Sequence, residues 1–499
     1  MMFHSSRLTL LILVISTLAI RAEEPVRLTS HPQLFLDDYL IARRTNLRRD
    51  VKSPTKHPQN PLIKQEFPWE KRMIQVYGTV LFDEASQRFR CWYLASESPD
   101  ASPEYYVCYA ESADGIIWQK PLVGDGPFGN HEKHNVVIRG GHGISVLHTP
   151  DDPDADRRYK AVGGDVFAWS PDGIRWSVEK CRYAVGKNDT GSSLVRWNNE
   201  YLWFVRNQEP ETGTAIVDPV SGKRWTGTMR GVGLSVSANF KTWSAKRSIL
   251  RGDARDRFPW GQPHALCVTT YGDVLIGLLP MLGLYPEDDN NYFGTWEMQL
   301  AVSRDGRKWD RVAERHALMA SAPEAPFASR PWDARIHPST TLLVKNDVVY
   351  IYYFGANRLH GEGRDPNSDA ASTRYGIGLA TLPADRFVSL RPYDWLRPGI
   401  LETRPLLIDG TDLLVNADAS PENLRVEIAD AQGRPIPGFD SASSIAERHD
   451  SLRYRIVWKS NRGLQSLKDA PLDTPVSVRI SIRDGDLFSL QVSPRKARK

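Results

Sequence analysis

The chain has 499 residues, of which 25% are charged, 41% hydrophobic and 10% aromatic, with 36 Gly and 34 Pro. That composition excludes disordered, collagen-like and coiled-coil proteins, and the length calls for a large domain with a smaller companion. The 64 basic and 60 acidic side chains leave a net charge of +4 with no basic run or stripe, so no nucleic-acid partner is expected.

Arg7 precedes an apolar run from Leu8 to Ile20, followed by Ile20-Arg21-Ala22 as a cleavage site. This is the order of a secretory signal peptide, and the run is shorter than the roughly twenty residues of a spanning helix. Residues 1–22 therefore read as a leader, with a secreted or periplasmic mature protein and no stable membrane insertion after cleavage. Cys91, Cys108, Cys181 and Cys267 are too few for a disulfide scaffold. Buried free thiols are expected, with a Cys91–Cys108 bridge as the alternative. No CxxC or HExxH spacing occurs, so neither a metal nor a cofactor is predicted.

The elements that follow are repeats. Ser112 to Trp118, Ser170 to Trp176 and Ser303 to Trp309 all fit S-x-D-G-x-x-W. Ser237 to Trp243 is a degraded copy with Asn239 for Asp and Phe240 for Gly, and Thr381 to Phe387 is a fainter fifth. A strand delivers the Ser, Asp-Gly turns the chain with positive φ, and Trp opens the next strand. Two β-rich runs precede the copies, as in Gly78–Phe82 with Phe89–Ala95 and Ser192–Trp197 with Tyr201–Arg206. The pair recurs in His264–Thr270 with Val274–Leu279 and in Thr340–Val344 with Val348–Phe354. Five units of about four strands predict an all-β, five-bladed β-propeller over residues 23–398. After Pro398-Gly399 the motif stops, and short strands separated by Asp409-Gly410 and Asp484-Gly485 predict a C-terminal β-sandwich over 399–499.

Together with these hairpins, the segments Leu34–Ile41, Lys56–Leu62, Tyr77–Asp83 and Tyr375–Leu382 give the chain a resemblance to glycoside hydrolase families 32, 43 and 68. It looks closest to the poorly characterised secreted bacterial proteins of family-32-like type. The resemblance implies the propeller fold and a glycosidase activity. Its catalytic signatures are missing: no Asn-Asp-Pro-Asn stands in the first unit, where Arg72 to Tyr77 carries no carboxylate, and no Glu-Cys pair exists. Arg364-Asp365-Pro366 matches the families' Arg-Asp-Pro by letters alone, in a polar loop. Ordinary invertase chemistry is disfavoured.

In a propeller the first strand of each blade lines the axial funnel, so site residues are sought where those strands begin. These entries are Gln75 and Tyr77, then His142, then Asp189, then Asp256 with Trp260 and His264, then Asp333 with Arg335 and His337. Glycoside hydrolysis needs two facing carboxylates. Asp189, entering an apolar strand through Thr190-Gly191-Ser192-Ser193, is the first choice for the ionised one. Glu297 is nominated as its acid partner, ahead of Asp333; a turn-forming or solvated role is the competing reading of each. Asp256 lies among arginines and suits a salt-bridged surface better. Asp114, Asp172 and Asp305 build hairpins, while Trp69, Trp260 and Trp332 could stack on sugars or simply pack. The first functional expectation is a secreted glycoside hydrolase acting on a poly- or oligosaccharide. A catalytically silent carbohydrate-binding propeller is the alternative. A sialidase-like enzyme ranks third, because its S-x-D-x-G-x-T-W motif is one residue longer and accompanies six blades.

Overall fold

The computed structural model describes residues 24–97, 104–164, 166–180, 193–209, 217, 222, 224–225, 228–285, 292–321, 329–362, 373–446 and 449–494. Among them the structure is all-β, its helices being single 3-10 turns such as Pro68–Glu70 and Ala254–Asp256.

Five antiparallel sheets follow one another along the chain. The first runs Met73–Asp83, Arg88–Ser96, Tyr106–Ser112, Trp118–Gln119, and the second Ser145–His148, Tyr159–Gly163, Val166–Ser170, Ser177–Lys180. The third runs Ser193–Trp197, Glu200–Glu209, Met229–Ser237, Arg247–Arg251. In the fourth, Gly261–Pro263 and Cys267–Tyr271 share the edge of Val274–Leu284, which pairs with Gly294–Ser303 and, beyond it, Asp310–Arg311 and Met319–Ala320. The fifth has Arg335–Pro338 and Leu343–Lys345 on Val348–Ala356, then Tyr375–Pro383. Its outer edge comes from far upstream, from Thr55–Lys56 and Ile63–Lys64.

The starts of these sheets are tied in cyclic order, four times by a small hydroxyl and once by a backbone carbonyl. Val146 N donates to Thr79 Oγ1 at 2.8 Å, Leu194 N to Ser145 Oγ at 2.9 Å and Val268 N to Ser193 Oγ at 2.9 Å. Leu342 N donates to Thr269 Oγ1 at 2.9 Å, and Thr340 N returns to Gly78 O at 2.8 Å. Each sheet thus hands a bond to the next, and the fifth hands one back to the first. Sheets covered on both faces need no polar alternation, which is why Val274–Leu284 is buried along almost its whole length.

The repeated hairpins form as the motif requires. In the first, Asp114 Oδ1 accepts from Ile116 N and Ile117 N at 2.8 Å each, while Gly115 N donates to Ser112 Oγ at 2.9 Å. Gly115, Gly173 and Gly306 take φ of +77°, +74° and +73°, and Trp118, Trp176 and Trp309 each donate the indole N–H to that glycine's carbonyl. In the degraded copy Asn239 caps the turn and Phe240 adopts φ +59°. The fifth echo builds a different turn: Asp385, not the residue in the Gly place, has positive φ, and its carboxylate accepts from the Tyr271 hydroxyl at 2.7 Å.

Three further sheets, of eight, four and two strands, enclose a separate apolar core that includes Leu401, Val415, Val426, Ile456, Ile480 and Leu490. They are not built from the C-terminal residues alone. Val26–Leu28 pairs with Leu406–Ile408, Gln33–Leu34 with Asp486–Val492, Ile41–Thr45 with Gly399–Thr403, and Leu47–Val51 with Val388–Pro392. The start of the described chain therefore pairs with strands from Val388 onward. Cys91, Cys108 and Cys267 are buried free thiols, and Cys91 stands opposite Ala110 while Cys108 stands opposite Tyr93, so the Cys91–Cys108 bridge does not form. Cys181 lies outside the described residues.

Candidate functional site

Irregularities in the first strands of the five sheets place a cluster of side chains. Between Gln75 and Thr79 the first strand slips against its neighbour, so Tyr77 sits in a bulge. Bulges re-aim side chains in this way. Gly78 is required there, since a Cβ would lie 1.9 Å from the Trp92 carbonyl oxygen. In the fourth sheet the edge breaks between Pro263 and Cys267, and His264 occupies the break. In the fifth, Arg335 and His337 share one face of Arg335–Pro338, with His337 opposite Phe354. His360 is held by reciprocal 3.1 Å backbone bonds to Gly294, which dock the segment following Val348–Ala356 in the fifth sheet onto the fourth sheet.

These residues meet around Trp296. Its ring centroid is 4.4 Å from that of His264, 5.2 Å from His337 and 5.0 Å from His360. Tyr77 packs against His337 at 4.6 Å and Phe354 at 5.1 Å, and His264 lies 5.4 Å from His337. The Arg335 guanidinium lies 5.5 Å from the Trp296 ring and 5.7 Å from Phe354, within cation–π range. Arg206 Nε donates to the His264 carbonyl at 2.9 Å while its Nη2 approaches His264 Nε2 at 3.1 Å. Arg230 Nη1 donates to Gln262 Oε1 at 3.0 Å.

The partners fix the proton positions. A guanidinium only donates, so His264 Nε2 accepts and its proton sits on Nδ1. A carbonyl only accepts, so His337 carries its proton on Nδ1, 2.8 Å from Pro338 O. Burial first, then the arginines, keep both rings neutral: His264 is held well below the ordinary imidazole value by burial and Arg206. His337 is pushed down to about 3, burial outweighing its bond to Pro338. Four buried nitrogens then have no protein partner: the donors His264 Nδ1, Trp296 Nε1 and Arg335 Nε, and the acceptor His337 Nε2. Their residues are 2–7% exposed. Buried polar atoms of this kind are rarely left unpaired, because each costs about 1–3 kcal/mol without a partner.

Of the residues singled out in the sequence, Tyr77, His264, Arg335 and His337 are brought together here. His142 stands beside them, 6.2 Å from Tyr77 and stacked on Tyr105 at 4.1 Å. Gln75 is buried two residues before Tyr77, and Trp260 is buried edge-on to Trp225 at 6.0 Å. Asp333 is not part of the cluster: its carboxylate accepts from Lys56 Nζ at 2.6 Å and the Tyr353 hydroxyl at 3.0 Å. Glu297 is also elsewhere. It follows Trp296 on an extended strand, so the two point to opposite faces. Glu297 lines a cleft of about 470 Å3 with Asp256, Gln299, Arg315 and others, Trp296 forming part of its wall. Gln299 donates to Glu297 and accepts from Arg311, which also donates to Asp256 at 2.7 Å. Asp189 and Arg364-Asp365-Pro366 lie outside the described residues. Trp296, Arg206, Phe354 and His360 complete the cluster without a sequence signal of their own, although Trp296 could have been reached by strand alternation from Gln299 and Glu297.

No family model and no curated protein matches the sequence. Among solved structures, the chain is similar to a beta-1,2-mannobiose phosphorylase from Listeria innocua at 12% identity, covering 69% of this chain and 98% of that one with a TM-score of 0.43. A Bombyx mori family 32 beta-fructofuranosidase aligns at 11% identity over 89% of this chain and 94% of its own, TM-score 0.36. A family 43 arabinoxylan arabinofuranohydrolase from Bacillus subtilis aligns at 9% identity over 89% and 99%, TM-score 0.36. Likenesses this remote transfer neither an activity nor a residue.

Proposed function

We propose that the five sheets are blades of one β-propeller, spanning roughly Thr55 to Phe387, followed by a β-sandwich that also takes in the strands before Thr55. The cyclic chain of bonds from each sheet to the next and back, four accepted by hydroxyls and the closing one by the Gly78 carbonyl, supports this reading. The protein is a secreted or periplasmic carbohydrate-active enzyme, a glycosidase, directed outside the cytoplasm by residues 1–22.

Its sugar sits at the propeller's centre. One observation carries this: four nitrogens without a protein partner, three donors and an acceptor, on residues packed around Trp296 and Tyr77. Sugars present alternating hydroxyls and an apolar ring face, and a site that binds them combines convergent hydrogen-bonding groups with aromatic walls. Asp189 supplies the ionised carboxylate of the catalytic pair, entering the third blade through small residues. The positions of Glu297 and Asp333 away from the cluster favour a second reading, binding without hydrolysis.

The test is a screen of purified polysaccharides and oligosaccharides, with release of reducing ends and tryptophan fluorescence recorded in parallel. Cleavage by the wild type that falls by orders of magnitude in Asp189→Asn supports the enzyme. Cleavage unchanged in that variant removes Asp189 from the mechanism. A ligand that quenches fluorescence but is never cleaved selects the binding reading.

A further inference from the structure

We infer that the sugar bound at this centre carries an oxyanion, a carboxylate or a sulfate ester, seated on Arg335; this rests on reading the cluster as a sugar site. Arg335 is 93% removed from solvent, being 7% exposed, and it forms no ion pair with any carboxylate among the described residues. The nearest acidic residue in sequence, Asp333, is turned away and neutralised by Lys56 at 2.6 Å. Among the described residues the guanidinium meets one oxygen, the Leu359 carbonyl 3.3 Å from Nη1, and its Nε–H has no partner. Aromatic faces surround the rest: Trp296, Phe354 and Tyr375, at 5.5, 5.7 and 6.0 Å.

A buried guanidinium without a counter-ion is costly, and the usual remedy is a partner carboxylate within the protein. Among the described residues no carboxylate provides one, and the neighbouring imidazoles are neutral, so none of them compensates the positive charge of Arg335. The unpartnered set is also lopsided. His264 Nδ1, Trp296 Nε1 and Arg335 Nε all donate, and His337 Nε2 alone accepts. A neutral sugar offers hydroxyls that donate as readily as they accept, and would be better matched by a balanced set. An acidic sugar supplies acceptor oxygens for the donors and one hydroxyl for His337. Planar guanidinium groups bind carboxylate and sulfate oxygens with charge-assisted bonds, shorter and stronger than neutral ones.

The full-length protein is titrated calorimetrically with trigalacturonate, triglucuronate and a sulfated galactotriose, each beside its neutral counterpart. An acidic member should bind at least about tenfold more tightly than its neutral partner, as expected for a buried charge-assisted contact. Arg335→Gln should abolish that preference and Arg335→Lys should restore part of it, with thermal unfolding confirming that both variants fold. His337→Gln leaves the cation in place and should weaken acidic and neutral sugars alike, so it serves if Arg335→Gln does not fold. Equal binding of acidic and neutral sugars, or a preference that survives Arg335→Gln, overturns the inference while leaving the sugar site standing. If no sugar in the set binds, the sugar reading fails and the inference fails with it. Whether the carboxylate or the sulfate arm binds identifies the oxyanion.

Discussion

Arg206 grips His264 at two points, its Nε on the carbonyl oxygen at 2.9 Å and its Nη2 beside the ring Nε2 at 3.1 Å. The first bond fixes the backbone in the break of the fourth sheet, and the second fixes which ring nitrogen carries the proton. Histidine at the centre is thereby made a donor through Nδ1. The expected imidazole 15N spectrum shows His264 neutral and protonated at Nδ1 at neutral pH. Arg206→Lys supplies a point charge that cannot span both contacts. It should weaken sugar binding by about tenfold while His264 loses its single tautomer, since each lost contact is a buried hydrogen bond worth about 1 kcal/mol. A variant with unchanged affinity and an unchanged spectrum would show that the second contact has no consequence.

The same burial sets a pH dependence. His337 titrates near 6.5 in an unfolded chain but near 3 in the folded one. Between those values the unfolded chain binds more protons, so stability rises with pH. The contribution of neutral His337 is whole above about pH 6.5 and is lost as the pH falls toward 3. Carboxylates titrate in the same window, so the comparison is with His337→Gln, which keeps hydrogen-bonding atoms and cannot charge. Urea midpoints of the two proteins should converge on the acid side of pH 6.5, the wild type falling faster. Parallel curves would mean that His337 is solvated in the folded state.

The repeated turns could be read from the chain because their signals are local. Asp172 Oδ1 accepts from two backbone N–H groups and Gly173 supplies positive φ within one turn, so the motif needs no distant partner to form. The degraded copy shows the limit, since Phe240 adopts φ +59° where Gly would be expected, held by packing against Phe167 and Trp243. The centre was less legible. A carboxylate attracts notice in a sequence, but the alternation of a strand aims Trp296 at His264 and sends Glu297 into the adjoining cleft. Tyr77 reaches the centre only through a bulge, and His360 only through a bridge to Gly294 formed between residues far apart in sequence. Strands Val26–Leu28 and Ile41–Thr45 likewise pair with residues more than three hundred positions later, which no local pattern encodes.

The hydroxyl ring should be a measurable source of stability. Ser193 Oγ accepts from Val268 N and donates to Thr340 O, each at 2.9 Å, in a fully buried setting. Ser193→Ala leaves both backbone groups unpaired and should cost about 1–3 kcal/mol in denaturant unfolding. A loss below about 0.5 kcal/mol, within the range of an ordinary surface change, would mean that the first strands are held together by apolar packing alone.

Gly173 tests how the turns bind one sheet to the next. It takes φ +74°, and a Cβ there would lie 2.7 Å from Cζ2 of Trp92 in the preceding sheet, whose indole N–H donates to the Gly173 carbonyl at 2.7 Å. Gly173→Ala therefore combines an unfavourable backbone conformation with a clash, for a cost of roughly 1–3 kcal/mol from the backbone alone. Thermal unfolding should show the drop. An unchanged midpoint would place the turn tip out of contact with Trp92 in solution.

Trp296 and Glu297 are adjacent in the chain and face different surroundings. Trp296 touches His264, His337 and His360, so removing its ring takes away the wall and one of the three unpartnered donors. Trp296→Ala should reduce sugar affinity by at least about tenfold, and Trp296→Phe, which keeps a wall without the N–H, should fall between, as expected when packing and a hydrogen bond are lost in turn. Glu297 faces the cleft, linked through Gln299 and Arg311 to Asp256. Glu297→Gln should leave affinity at the centre within about twofold of wild type, a change well under the 1.4 kcal/mol of a tenfold effect. The two variants are compared by titration with the same ligand, and the order of their effects is the result that matters. A strong loss in Glu297→Gln with little in Trp296→Ala would move the sugar from the centre of the ring into the cleft beside it.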